Sequence, residues 1–187
     1  MRTDILVFDG FDELDAIGPF EIFANARFDV ALVALGGPRD VTAGHGLVLR
    51  AGAPREDVEL LLVPGGGWAD DRGSGVRTEV ERGDIPRAAA AHHAREGTLT
   101  ASVCTGAMLL AAAGILEGRP ASTHHVARED LAAAGALAND DRVTDDGDVL
   151  TAGGVTSGLD LALHIVERVR GTAVREIVQR EMWLESA

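Results

Sequence analysis

Strands alternating with helices along the chain predict an α/β fold, a mostly parallel sheet sandwiched by helices, and three observations carry that expectation. Short apolar runs ending at glycine, proline or aspartate recur at residues 3–8, 28–35 and 58–63, the length and punctuation of strands buried on both faces. Between such runs lie stretches whose apolar residues follow a helical spacing. No internal repeat, low-complexity tract or Ser/Pro-rich linker divides residues 1–187, so one domain is expected.

The first run stops at Asp9 and Gly10. Pro19 suits a first helical turn, and Phe20, Ile22 and Phe23 give the helix behind it an apolar face; with the run at 28–35 this makes a βαβ unit. Residues 41–49 place Gly44 and Gly46 between short apolar flanks and read as a small β excursion from the main sheet. The strand at 58–63 cannot continue through Pro64, Gly65, Gly66 and Gly67. A helix over 85–96 is capped near Asp84, and 98–103 is the next strand. Cys104 follows at once, ahead of a helix over 106–113 with Gly114 as its C-terminal cap. Residues 126–134 read as a helix, 142–145 and 149–152 as strands paired across a turn at Asp146 and Gly147, and 158–169 and 172–182 as two closing helices.

Composition limits the function classes. With 46% hydrophobic and 25% charged residues the chain has ordinary globular usage. Its longest apolar stretches, 107–113 and 159–166, fall far short of the ~20 residues a membrane span needs, so no membrane association is expected. Acidic residues outnumber basic ones 30 to 17, for a formal charge of −13, and every basic residue is arginine. Such a balance argues against a nucleic-acid partner. It leans toward a salt-rich cytoplasm, although a GC-rich genome also replaces lysine with arginine. The first residues lack the basic and long apolar regions of a secretory signal, and a single cysteine excludes an intrachain disulfide. A cytoplasmic location is expected, with the thiol free for chemistry.

Ligand crevices of open α/β sheets lie at the carboxyl ends of the strands, and three features fall there. Asp15 lies in the loop after the first strand, the Gly65–Gly67 turn follows the third, and Cys104 ends the fourth. Residues 102–106 (SVCTG) resemble a nucleophile elbow with sulfur in place of oxygen, Gly106 supplying the small neighbour a sharp turn needs. The start of the next helix, with its unpaired N–H groups and positive dipole end, is expected to favour the thiolate without a base. The alternative is a buried cysteine that packs as a small hydrophobe. The N–H groups of Gly66 or Gly67 and of Thr105 are expected to face the charge that develops when sulfur attacks. Asp15, among Leu14, Ala16 and Ile17, sits where a carboxyl pKa rises and a proton is shared with sulfur or substrate. Helix capping is its alternative role, and Glu21 is a competing acid. His124 and His125 either orient or shuttle protons, or are structural.

Taken in order, residues 14–23 (LDAIGPFEIF), 62–67 (LVPGGG), 101–107 (ASVCTGA), 114–124 (GILEGRPASTH) and 153–163 (GGVTSGLDLAL) resemble the ThiJ/PfpI superfamily. Within it they are most similar to the isonitrile hydratase branch, which has a similar aspartate before a Gly-Pro pair and a threonine directly after the cysteine. The resemblance implies a flavodoxin-like sheet, Cys104 as nucleophile, Asp15 as its acidic partner, and Thr105 as a source of backbone or hydroxyl contacts. It further implies Gly66 and Gly67 as the oxyanion turn, His124 as the histidine near the cysteine, a homodimer, a small-molecule substrate, and no cofactor or metal. Two positions depart from the pattern. Thr105 stands where proteases and amidases of the group carry histidine, and residues 123–125 read Thr-His-His where the branch usually has Thr-His-Trp. The implied activity is hydration of an isonitrile to an N-substituted formamide. A glyoxalase-like, deglycase-like or amidase-like enzyme is the alternative, as is a non-enzymatic redox or ligand sensor akin to the domains of AraC-type regulators.

Overall fold

The computed structural model describes residues 1–69 and 73–184. Its first elements are β1 (Arg2–Leu6), α1 (Glu13–Asn25), β2 (Asp29–Val33), β3 (Arg39–Thr42), β4 (Val48–Ala51) and β5 (Leu60–Val63). Next come α2 (Val76–Arg82), α3 (Asp84–His93), β6 (Leu99–Val103), α4 (Ala107–Ala112), β7 (Pro120–Ser122) and α5 (Arg128–Ala133). The chain continues through β8 (Leu137–Asn139), β9 (Val143–Asp146), β10 (Val149–Ala152), α6 (Ser157–Arg170) and α7 (Thr172–Glu181).

Six strands form the main sheet in the order β2-β1-β5-β6-β10-β9, parallel throughout except for β9 on β10. The chain steps outward from β1 to β2 and then crosses back to β5, so the order reverses between β1 and β5, as in flavodoxin-like folds. A cleft opens there, against the loops that leave β1 and β5. Every residue of β5 and of β10 is buried, because α1 and α6 pack together on one face while α3 and α4 pack together on the other. Ile5, Leu60, Leu62, Leu109 and Ile165 have no exposed surface; each such side chain stabilises the core by roughly 1.5–3 kcal/mol. No helix among the described residues is long and apolar enough to cross a membrane.

Some elements differ from expectation. Helix α1 opens well before Pro19: Asp12 caps it by accepting from the Leu14 N–H at 3.2 Å, with Glu13 and Asp15 in the first turn. Asp15 is therefore helical and not part of a loop. Pro19 stands inside the helix, where its missing N–H leaves the Asp15 carbonyl without its usual partner. The expected helix over 126–134 begins as a 3₁₀ turn at His125–Ala127 before α5. Helix α2 and the parallel pair β7–β8 had no counterpart in the sequence reading. The excursion at 41–49 is the antiparallel hairpin β3–β4, and the strands around Gly147 pair as expected.

Candidate functional site

Strand β6 runs straight into Cys104, and the backbone turns there. Its φ is +57°, in the left-handed region that costs a non-glycine residue about 1–3 kcal/mol. Surrounding contacts hold the strained residue from both sides. Its N–H donates to the Gly153 carbonyl at 2.9 Å, and its carbonyl accepts from the Thr123 hydroxyl at 2.8 Å. The end of β5 presses against the turn so closely that glycine is required: a Cβ on Gly106 would lie 2.4 Å from the Val63 carbonyl oxygen, and one on Gly65 would lie 2.5 Å from the Thr105 nitrogen.

These approaches bring Asp15, the glycine turn, Cys104 and Thr105 together. Asp15 has no exposed surface; its Oδ2 accepts from the Gly65 N–H at 2.9 Å, and the carboxyl interacts directly with the Cys104 thiol. The Thr105 hydroxyl, also buried, accepts from the Gly66 N–H at 2.9 Å. That bond engages the Gly66 N–H, one of the two glycine donors expected to face the charge that develops when sulfur attacks. Thr105 N–H is the backbone donor that favours the ionised sulfur.

Burial governs the electrostatics of the pair. It pushes the Asp15 carboxyl up to about 8; the charge of Asp12 adds to the effect, and the Gly65 N–H and the thiol oppose it. Burial likewise pushes the Cys104 thiol above its ordinary range, followed by the charge of Asp15. A thiolate favoured by the helix start is therefore opposed by burial: α4 has only six residues, and desolvation of the sulfur works against its opening dipole. Near neutral pH the pair holds its protons, an arrangement suited to relaying a proton as a new bond forms.

The remaining candidates separate. Glu21 is exposed and accepts from Asn25, which leaves Asp15 as the acid beside the sulfur. His124 is half-buried, its ring centroid 4.1 Å from that of exposed His125 and tilted 36° to it. Burial and the neighbouring His125 lower its pKa, and its Nδ1 accepts from the Val126 N–H at 3.4 Å. The neutral ring thus carries its proton on Nε2, which faces Gly154. Thr123 was not singled out by the sequence reading, although it lies in a Ser-Thr-His-His stretch that the reading did mark.

A cleft of about 470 Å³ is lined by Asp9, Asp12, His45, Gly66, Gly67 and Ser74 among others. Cys104, at 6% exposure, does not line it; Gly66 is shared between the cleft wall and the elbow. Among the described residues, Asp12, Glu13 and His45 bring three metal-ligating atoms within 4.8 Å of one another. Asp12 already caps α1 and His45 Nδ1 lies 2.6 Å from Glu13, so an ion there would replace existing bonds.

The model of the DJ-1/PfpI family matches residues 1–168. The chain is 32% identical over 186 residues, 97% of its length and 78% of the relative's, to the isonitrile hydratase of Pseudomonas putida. It is 25% identical to the Parkinson disease protein 7 homolog of Danio rerio, over 98% of this chain and 97% of that one. Among solved structures, a ThiJ/PfpI family protein from Pseudomonas syringae superposes with a TM-score of 0.87 at 29% identity, covering 100% of this chain and 76% of its own.

Proposed function

Because the chain belongs to the DJ-1/PfpI family, we propose that it is a cysteine-nucleophile enzyme that hydrates a small isonitrile to an N-substituted formamide. The observation that carries this reading is a strained cysteine coupled to a buried carboxyl whose pKa burial raises to about 8, in a chain similar over nearly its whole length to an isonitrile hydratase.

The terminal carbon of an isonitrile takes a proton and then a soft nucleophile. Asp15 gives its proton to that carbon while Cys104 sulfur bonds to it, and the thiol proton returns to the carboxylate, leaving a covalent thioimidate. Water adds to the same carbon; Asp15 protonates the nitrogen and takes a proton from the water. Cleavage of the C–S bond releases the formamide, and the hydroxyl proton of the adduct passes back to sulfur. Thr105 N–H favours the negative charge that builds on sulfur as the C–S bond forms and breaks, and Gly67 belongs to the turn beside it. His124, with a neutral ring, offers an Nε2 donor. No step calls for a cofactor or metal. The acidic groups Asp9 and Asp12 along the cleft suit an uncharged substrate better than an anion. The reading includes a homodimer, as the resemblance implies, and a cytoplasmic location in keeping with one unpaired cysteine.

A reaction on 2-oxoaldehydes uses the same thiol and acid and is the second reading. The amidase reading is weakened by Thr105 at the position after the cysteine. A redox sensor calls for an exposed thiol of low pKa, unlike the buried, acid-paired Cys104. The test is formamide production from a small alkyl isonitrile, followed by NMR, with wild type and Cys104→Ala. Turnover by wild type alone supports the proposal. No consumption of isonitrile, or equal consumption by both proteins, overturns it, and lactate from methylglyoxal would point to the second reading.

A further inference from the structure

The Cys104–Thr105 peptide unit is engaged at both ends. Its carbonyl accepts from the Thr123 hydroxyl at 2.8 Å in a buried contact, and its N–H is the backbone group that favours the ionised Cys104 sulfur. We propose that Thr123 is a positioning residue for the nucleophile, its hydroxyl orienting and polarising the amide that faces the sulfur. The proposal rests on Cys104 acting as a nucleophile and not on which electrophile it attacks.

Hydrogen bonds at the two ends of one amide reinforce each other, because drawing electron density toward the oxygen makes the N–H a stronger donor. Thr123 reaches this carbonyl from the loop after β7, nineteen positions along the chain. Cys104 sits at φ +57° at the start of the 3₁₀ turn Cys104–Gly106, past the end of the β6 ladder. A threonine is suited to the role: its branched Cβ narrows the side chain to few rotamers and its hydroxyl can donate to the carbonyl. The charged groups acting on the sulfur are Asp15 in α1 and Asp12 at its cap, and neither touches Thr123 in any hydrogen bond of the described residues. His124, next in sequence, is neutral for reasons of burial and His125.

The test is the pH dependence of Cys104 alkylation by iodoacetamide, an uncharged probe, in wild type, Thr123→Val, Thr123→Ala and Thr123→Ser, with circular dichroism as the check on folding. Loss of the hydroxyl is expected to move the profile to higher pH and slow alkylation at a fixed pH by about threefold, while Thr123→Ser follows wild type. Valine keeps the shape of threonine, and alanine serves if valine overpacks the site. Wild-type profiles in the folded valine or alanine protein overturn the proposal, as does a Thr123→Ser profile displaced equally far. If neither deletion folds, Thr123 is scaffold and the proposal falls. Failure of the wild type to hydrate isonitriles would remove the substrate assignment and leave this readout intact.

Discussion

Replacing Asp15 with asparagine is expected to stabilise the protein at alkaline pH while removing its proton relay. The carboxyl has no exposed surface, and burial with the nearby charge of Asp12 moves its titration from 3.8 to about 8. In the unfolded chain the group loses its proton near its ordinary value of about 3.9. Between those two values the folded state binds a proton that the unfolded state has released, so stability falls as pH rises through the window. At about 1.36 kcal/mol per pH unit, the whole window corresponds to roughly 6 kcal/mol, a ceiling that relaxation of the site reduces. Asparagine cannot ionise and still offers an oxygen to the Gly65 N–H. Thermal unfolding of the two proteins is therefore expected to coincide within about 2 °C near pH 4, and Asp15→Asn to melt higher by about 10 °C near pH 8. Parallel Tm curves across that range would refute a carboxyl held protonated by burial.

Two further substitutions probe the scaffold. Gly106→Ala would drive a methyl to 2.4 Å from the Val63 carbonyl; a loss of about 1–3 kcal/mol in urea unfolding is expected, with slower alkylation of the displaced Cys104. Arg55→Met removes the guanidinium that bonds Asp4, whose side chain is 3% exposed, at 2.6 Å. A buried carboxylate without its counter-ion should lower stability by about 3–5 kcal/mol, read as a fall in the urea midpoint at neutral pH.

The sheet was legible because its central strands are buried on both faces, and continuous apolar runs such as 60–63 mark such strands without any periodicity. Cys104 was legible for a related reason: it stands between one of those runs and a glycine. The start of α1 was misplaced because Pro19 was weighed as a helix opener, whereas Asp12 with acids at the next and third positions carries the stronger capping signal. Strands β7 and β8 have three residues each, too few to show a pattern. The direction of the thiol's titration was not readable, since the elbow argues for a thiolate locally while the opposing burial and Asp15 come from folding distant segments together. The Thr123 contact joins positions nineteen apart and was invisible for the same reason.

The central claim is that Cys104 and Asp15 act as a coupled, proton-holding pair. Its most direct test is the rate of Cys104 alkylation against pH in wild type and Asp15→Asn. A wild-type thiol titrating above the ordinary value of about 8.5 and falling when the carboxylate is removed is the expected result. A wild-type thiol already ionised at neutral pH, or one indifferent to Asp15→Asn, would contradict it.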